Sequence, residues 1–385
     1  MARRNETPEV AAFRAELRAW LAANLDDATR EAARGGGFAT GENLATMRAW
    51  QKRIDDAGFS AITWPVEHGG RGAGPLEQAA YAEEMSEAGA PGTLNPIGMA
   101  NIAPSIMQWG TLEQQAFYLP RMRNGTDVWC QGFSEPGAGS DLASLSTKAV
   151  RDGDDYVVSG QKVWTSMAHI ADWCELLVRT TPLDQAPKHK GLSVLIVDMH
   201  APGVTVRPLL TLTGDHEFNE VFFDDVRVPA TALLGPPDQG WRVAMTTLNN
   251  ERAGVLTLAI GARKKVGDLI TSAHDRGNAG DPVVRQALAR SWVAAEVLAL
   301  LGEESIAAAA AGQEAGAVAS LGKLVWADAD AAACAAAEVV LGPDAASGSW
   351  GRQRSYHPAM SIAGGTTAVN KGVVATQVLG LPRSR

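Results

Sequence analysis

The residues best suited to chemistry fall in one stretch, Trp129 to Ser166. Between Ser134 and Asp141 it reads Ser-Glu-Pro-Gly-Ala-Gly-Ser-Asp. Pro136 has no N–H to give a strand ladder, so the apolar run Val128 to Phe133 must end there. Gly137 and Gly139 let the backbone approach a ligand or take a positive φ, and Ser140 and Asp141 are able to cap the next turn of chain. After a hairpin whose turn is Asp152-Gly153-Asp154-Asp155, the stretch ends in Trp164-Thr165-Ser166, a large flat ring and two hydroxyls. Amide donors, an aromatic wall and hydroxyls together suit a flat, phosphate-bearing cofactor. The same residues also fit a tight turn in an all-β domain with a core tryptophan.

Other arrangements are absent or incomplete. No G-x-S-x-G elbow occurs, and Gly322-Lys323 is followed by Leu324 rather than the hydroxyl residue of a phosphate-binding loop. The glycines of Gly69 to Gly74 lack the G-x-G-x-x-G spacing and follow no clear strand. His216-Glu217 has no second histidine at metal-binding spacing. Asp224-Asp225 reads as a solvated turn at a strand end. Lys188, His189 and Lys190, in a Pro- and Lys-containing loop, are able to meet phosphates but also read as a solvated face. Cys130, Cys174 and Cys334 are too widely spaced for a zinc site or a disulfide framework, so no metal is expected and a reduced, cytoplasmic setting fits.

The chain of 385 residues is 46% apolar and 20% charged, enough for a sizeable core and two or three domains. A net charge of −9 argues against nucleic-acid binding or a polybasic membrane anchor. No apolar run is long enough to span a bilayer, and the charged N-terminus lacks a secretory apolar run.

The elements that must position these residues are set by periodicity. Residues 1–125 read helical, with Val10, Phe13, Leu17 and Leu21, then Leu44, Met47, Trp50 and Ile54, at helical spacing. Thr7 and Pro8 mark a helix start. Residues 126–235 change to short Val-, Tyr- and Phe-rich runs between Gly, Pro and Asp turns, which predicts a β-sandwich or barrel. Residues 236–385 are helical again, with Ala-rich helices near 282–311 and 316–341 whose small side chains allow close packing. The class is α+β, a β domain between an N-terminal helical domain and a C-terminal four-helix-bundle-like one.

The central stretch resembles the acyl-CoA dehydrogenase family, whose middle domain carries a T/S-E-P-x-A-G-S-D loop and a later W-I/T-T/S motif. The likeness extends to Ile62-Thr63-Trp64-Pro65 with Glu67 and Gly69-Gly70, to Leu119-Pro120, to Phe222 through Pro229, and to Gly364-Gly365-Thr366. It therefore spans nearly the whole chain. It implies FAD, held by Gln131, Phe133, Ser134, Gly139, Ser140, Trp164, Thr165, Ser166 and Thr366. Ser134 matches the hydroxyl near the flavin pyrimidine edge, Trp164 the aromatic wall, and Ser166 the hydroxyl facing N5. Ser140, Arg252 and Gly365 match substrate-contacting positions. The implied reaction is α,β-dehydrogenation of an acyl-CoA to a trans-2-enoyl-CoA, with electrons passing to an electron-transferring flavoprotein and a homo-oligomer, dimer or tetramer, as the assembly.

The base departs from the commonest pattern. Most members place a glutamate immediately before Gly-Thr, where this chain has Gly364. The isovaleryl-CoA and long-chain branches put it on an earlier helix before an arginine, and Glu251-Arg252 matches that alternative. The chemistry asks for one carboxylate whose pKa is raised by desolvation, and for donors to the enolate oxygen, one of which the Gly364 N–H supplies. By itself Glu251-Arg252 also reads as a solvated helix pair. Two further motifs diverge. Asp275-Arg276-Gly277-Asn278-Ala279-Gly280 replaces R-x-x-F-G, and Val339-Val340-Leu341-Gly342-Pro343-Asp344 replaces Q-x-x-G-G-x-G. Both normally meet the adenosine end of a neighbouring subunit's FAD. Two other readings therefore stand beside the dehydrogenase: a same-fold flavin monooxygenase or oxidase, and a flavin-poor partner subunit of a hetero-oligomer.

Overall fold

A computed structural model describes residues 6–34, 43–251, 255–311 and 318–382. The chain divides into two compact units. One comprises Met1–Trp20, Gly74–Glu87 and Arg252–Arg385; the other comprises Leu21–Ala73 and Ala88–Glu251. Up to Arg123 the described elements are helical: α1 (Pro8–Asn24), α2 (Asp27–Arg34), α3 (Leu44–Asp56), α4 (Pro75–Ala88), α5 (Ala103–Trp109) and α6 (Leu112–Arg123). Thr7 caps α1 through the Val10 N–H, as its sequence position predicts. Helices α2 and α5 are not legible from periodicity. The first is short and mostly polar, and the second continues a π-helical turn, Ile97–Ile102, that breaks the 3.6-residue repeat.

The sheet unit contains β1 (Trp129–Gly132), β2 (Lys148–Asp152), β3 (Asp155–Lys162), β4 (Trp173–Arg179), β5 (Leu192–Asp198), β6 (Val204–Leu209), β7 (Phe218–Pro229) and β8 (Leu233–Leu234). Their order is β6-β7-β3-β2-β4-β5-β8, with β1 parallel to β4. The two halves, β6-β7-β3-β2 and β1-β4-β5-β8, join through one residue pair, Lys148 with Arg179. Val158, Val221 and Phe223 from one half and Cys174, Leu176, Val178, Leu195 and Val197 from the other share a core. That is the packing of a sandwich. The opposite face of the second half packs Trp129, Leu177, Val194 and Ile196 against Ile102, Ile106 and Leu119. Strands β4 and β5 are thus covered on both faces, which explains their nearly unbroken apolar runs. Asp224-Asp225, expected at a strand end, instead lies inside β7. Asp225 takes φ 48° there beside a register shift at Val158/Gly160, and its carboxylate accepts the Ser159 hydroxyl at 2.7 Å. The pair is a β-bulge.

After the sheet come α7 (Gly240–Glu251), α8 (Val255–Asp275), α9 (Pro282–Ala310), α10 (Val318–Leu341), α11 (Gly348–Tyr356) and α12 (Thr367–Val373). Helices α8 to α10 form a bundle in the other unit. Ala259, Ala262, Ala295 and Ala299 surround Leu298, while Ala273, Ala336 and Ala337 surround Leu269. Arg263 pairs with Glu296 at 2.7 Å and Lys265 with the buried Asp330 at 2.6 Å, tying α8 to both neighbours. Among the described residues no helix is long and apolar enough to cross a membrane.

Candidate active site

The loop from Ser134 to Asp141 is held from beneath by a buried ion pair. Lys162 continues the inward alternation of Tyr156 and Val158 along β3, so its ammonium is driven under the loop. It is wholly buried and donates to the Glu135 carboxylate at 2.9 Å and to the Phe133 carbonyl at 3.0 Å. Glu135 also accepts the Ser146 N–H and hydroxyl, both at 2.7 Å, and the Thr147 N–H at 2.8 Å. Burial alone would raise the Glu135 pKa, but the charge of Lys162 and these donors bring it down to about 2. Burial pushes Lys162 down to about 8 against the pull of Glu135, so both groups are charged at neutral pH. Arg179, at the end of β4, donates to the carbonyls of Ala143, Leu145, Lys188 and Lys190. It fastens the residues after the loop to the 181–190 segment. Lys188, read as a phosphate contact or a solvated charge, pairs with Asp141 at 2.7 Å, and His189 stacks on Trp241.

Gly137 and Gly139 take no positive φ, contrary to one expectation. A Cβ built at either meets nothing within 4 Å, so they leave open space on the outer side of the loop. Gly139 and Ser140 are exposed, while the Phe133 ring belongs to the core. The Val163 N–H donates to the Ser134 carbonyl at 2.9 Å, bringing the start of the loop beside the Trp164 turn. Trp164 is not a core residue. It is 60% exposed, adopts φ 59°, and touches Phe218 edge to face at 5.8 Å. Met167 has φ 63°. Each left-handed non-glycine residue costs roughly 1–2 kcal/mol, so the turn is held against its local preference with a large ring facing out. Thr165 is buried and its hydroxyl has no partner. Among the described residues the side chains of Gln131, Ser134, Ser140 and Ser166 make no hydrogen bond.

Helix α7 starts against the sheet: a Cβ at Gly240 would meet the Ser193 backbone at 2.5 Å. Its buried positions, Gly240, Val243, Ala244 and Thr247, recur at helical spacing. Glu251 closes the helix on the same register, four residues after Thr247. The Glu251 side chain and residue Arg252 lie outside the described residues. Behind α7, on β4, Glu175 is fully buried. Its Oε1 accepts the Thr247 hydroxyl at 2.8 Å, Thr247 and Ser105 hydroxyls are 2.7 Å apart, and Oε2 has no partner. Burial pushes this carboxyl up to about 8. A single charged residue inside the apolar run of β4 is the signal for it in the sequence. In the helical unit, Gly364 and Gly365 take φ 65° and 89°. The Asn370 amide donates to the Gly365 carbonyl at 2.7 Å, and the Thr366 hydroxyl caps α12 by accepting the Val369 N–H at 3.2 Å, leaving its proton free to donate.

Three family profiles match the chain: the acyl-CoA dehydrogenase N-terminal domain over residues 7–126, the middle domain over 130–226 and the C-terminal domain over 238–379. The chain belongs to the acyl-CoA dehydrogenase family. It is 41% identical to acyl-CoA dehydrogenase IpdE1 of Mycobacterium tuberculosis, covering 97% of this chain and 98% of that one. The solved Tcur3481-Tcur3483 steroid ACAD matches with a TM-score of 0.87 at 33% identity, over 99% of both chains. The ChsE4-ChsE5 complex from Mycobacterium tuberculosis matches with a TM-score of 0.81 at 34% identity, over 99% of both.

As an acyl-CoA dehydrogenase, the chain is an FAD-dependent oxidoreductase, and its middle-domain corner fits that cofactor. An exposed flat ring stands in the turn that carries Thr165 and Ser166 and is bonded through Val163 to Ser134, and the loop leaves open space outside its glycines. The two divergent segments of the acyl-CoA dehydrogenase bundle are committed to each other. Arg276 pairs with Asp344 at 2.5 Å, and the Asn278 amide donates to the Val340 carbonyl at 2.9 Å.

Proposed function

We propose that this chain dehydrogenates an acyl-CoA thioester to the trans-2-enoyl-CoA with Glu251 as the base. FAD, when bound, supplies the acceptor for the β-hydride. Glu251 removes the α-proton from the position used by the isovaleryl-CoA and long-chain branches, Arg252 orients it, and the Gly364 N–H donates to the thioester oxygen as negative charge develops there. Trp164 excludes water from one side of the ring. Ser134, Ser166, Gln131 and Thr366 offer donors to the cofactor, and Ser140 and Gly365 meet the substrate. The observation that carries this reading is the outward-facing Trp164 turn tied to the Ser134 loop by the Val163 N–H. The place of Glu251 at the end of α7, in the sequence Glu-Arg that matches the alternative branch, supports the choice of base.

The test is anaerobic flavin bleaching by stopped flow with a panel of acyl-CoA thioesters. The panel includes steroid-derived acyl groups, because the steroid ACAD shares 33% identity. Glu251→Gln should slow flavin reduction roughly 10²–10⁴-fold while FAD stays bound. Unchanged reduction would move the base to another residue. Electrons then pass to an electron-transferring flavoprotein, and a homo-oligomer in the cytoplasm is the default assembly.

A second reading is favoured by the Arg276–Asp344 and Asn278–Val340 contacts. They close on each other the two segments that would otherwise meet a neighbour's adenosine, as expected of one member of a hetero-oligomer. Purification of the chain alone, followed by its visible spectrum, distinguishes them. A full flavin complement supports the homo-oligomer, and a colourless protein that gains flavin only with a second subunit supports the mixed one.

A further inference from the structure

We propose that Asn219 is the positioning residue of the flavin wall, holding the Trp164–Ser166 turn open from behind, with His169 as a neutral accepting brace and His216 as a donating one. Asn219 lies on β7 and is fully buried. Its carbonyl accepts the Thr165 N–H at 3.0 Å, and its amide Nδ2 donates back to the Thr165 carbonyl at 3.0 Å. A two-way clamp of this kind fixes both of the peptide units that flank Thr165. The next residue of the turn in register, Met167, donates its N–H to the Glu217 carbonyl at 2.9 Å. The clamp therefore spans the segment between the two left-handed residues, Trp164 and Met167.

The protonation of the braces is dictated by the clamp. A carbonyl only accepts, so Nδ2 must face Thr165 and Oδ1 must face away from it. Oδ1 lies 2.8 Å from His216 Nε2, which must then carry a hydrogen and donate. Nδ2 also lies 3.2 Å from His169 Nδ1, which must then be unprotonated and accept. The two imidazoles lie 4.3 Å apart with planes tilted by 31°. Both amide hydrogens of Asn219 and one lone pair of its Oδ1 are spent in this way. Burial and the neighbouring His216 hold His169 below its ordinary pKa, in keeping with the neutral form the geometry requires. The role is specific to asparagine. Aspartate has no donor for the Thr165 carbonyl, and an aliphatic residue has neither donor nor acceptor.

This inference rests on the flavin-site reading above, so it is tested with and without flavin. The full chain and its Asn219→Leu variant are compared by amide hydrogen exchange on flavin-free protein and by FAD titration. Exchange in the peptide covering residues 163–169 should accelerate at least about tenfold, the order expected when several buried hydrogen bonds are lost, with the rest of the sheet unchanged. FAD affinity should fall by about the same factor, with a shifted flavin absorption band. If wild type alone takes up no FAD, the homo-oligomeric flavin site fails while exchange still decides the role of Asn219. Exchange that is unchanged, or that rises equally across the sheet, overturns the proposal. Should Asn219→Leu not fold, His169→Gln and His169→Leu decide. Gln keeps an acceptor for Nδ2 and should keep near-wild-type exchange over residues 163–169, whereas Leu should not. Identical behaviour of the two variants overturns the assignment.

Discussion

Two buried carboxyl groups of the sheet unit, Glu135 and Glu175, meet their surroundings in opposite ways. Glu135 sits under the Ser134–Asp141 loop with an ammonium, two backbone N–H groups and a hydroxyl directed at it. Glu175 sits under α7 with one hydroxyl on one oxygen and nothing on the other. Burial acts on both in the same direction, raising the pKa. Partners reverse it at Glu135, which ends near 2, and fail to at Glu175, which ends near 8. At neutral pH one is a carboxylate locked in a knot and the other is a neutral acid. The charge of Lys162, with the donors beside it, outweighs burial at Glu135, whereas Glu175 is more deeply buried and has only the Thr247 hydroxyl to oppose it.

The first way to break this contrast is to remove the cation. Lys162→Met leaves the Glu135 carboxylate buried with only its neutral donors, so denaturant unfolding at pH 7 should show a loss of roughly 3–5 kcal/mol. The double variant with Glu135→Gln should lose less than the two single variants added together, because the pair acts as a unit. A single-variant cost below about 1 kcal/mol would mean that the ammonium and carboxylate do not depend on each other. The acid limb of stability should also belong to Glu135. Its folded pKa is depressed below the 4.5 of the free group, so its contribution is present above that value and is lost as pH falls toward about 2.

The second way is to make Glu175 unable to ionise. Its folded pKa is raised from 4.5 to about 8, so its contribution is present at low pH and is lost as pH rises through that window. At about 1.4 kcal/mol per pH unit, this is a cost of several kcal/mol at pH 8.5. Glu175→Gln avoids the ionisation but buries amide hydrogens with no partner, a cost of roughly 1–3 kcal/mol. The variant should therefore be more stable than wild type by on the order of 2 kcal/mol at pH 8.5 and no more stable at pH 5. Melting curves across pH 5–9 check this; parallel curves for the two proteins would show that Glu175 ionises in the folded state as readily as in the unfolded one.

How legible each residue is in the sequence depends on how far away its partners lie. The loop and the Trp164 turn are legible through the family resemblance, since by themselves Pro136, the glycines and the Trp-Thr-Ser run also fit a tight turn with a core tryptophan. The three-part architecture is readable from a change of period from 3.6 to 2. Lys162 is readable in principle, as a charge on the inward alternation of β3, and so is Glu175, as a charge inside the apolar run of β4. Their partners are not. Glu135 lies 27 residues from Lys162 and Thr247 lies 72 from Glu175, and no local rule links positions so far apart. Asn219 is hidden more deeply, since an asparagine at the start of a strand is ordinary until β7 is seen to run behind the Trp164 turn. The bulge at Asp224-Asp225 reads as a strand end in the sequence because two adjacent aspartates carry a strong turn signal of their own.

The smallest expected effect sharpens the contrast most. Thr247 donates its one hydroxyl proton to Glu175 Oε1, so Ser105 must donate to Thr247 in turn. Thr247→Val keeps the shape of the side chain and removes the only donor that lowers the Glu175 pKa. Stability at pH 6 should fall by only about 1 kcal/mol, the usual worth of a neutral hydrogen bond. The informative readout is instead the pH at which stability stops falling in the alkaline limb, which should move above that of wild type because nothing then opposes burial. In the Glu175→Gln background the same substitution should leave the pH profile unshifted. A shift that persists there would belong to some group other than Glu175, and the neutral-acid description of this site would be wrong.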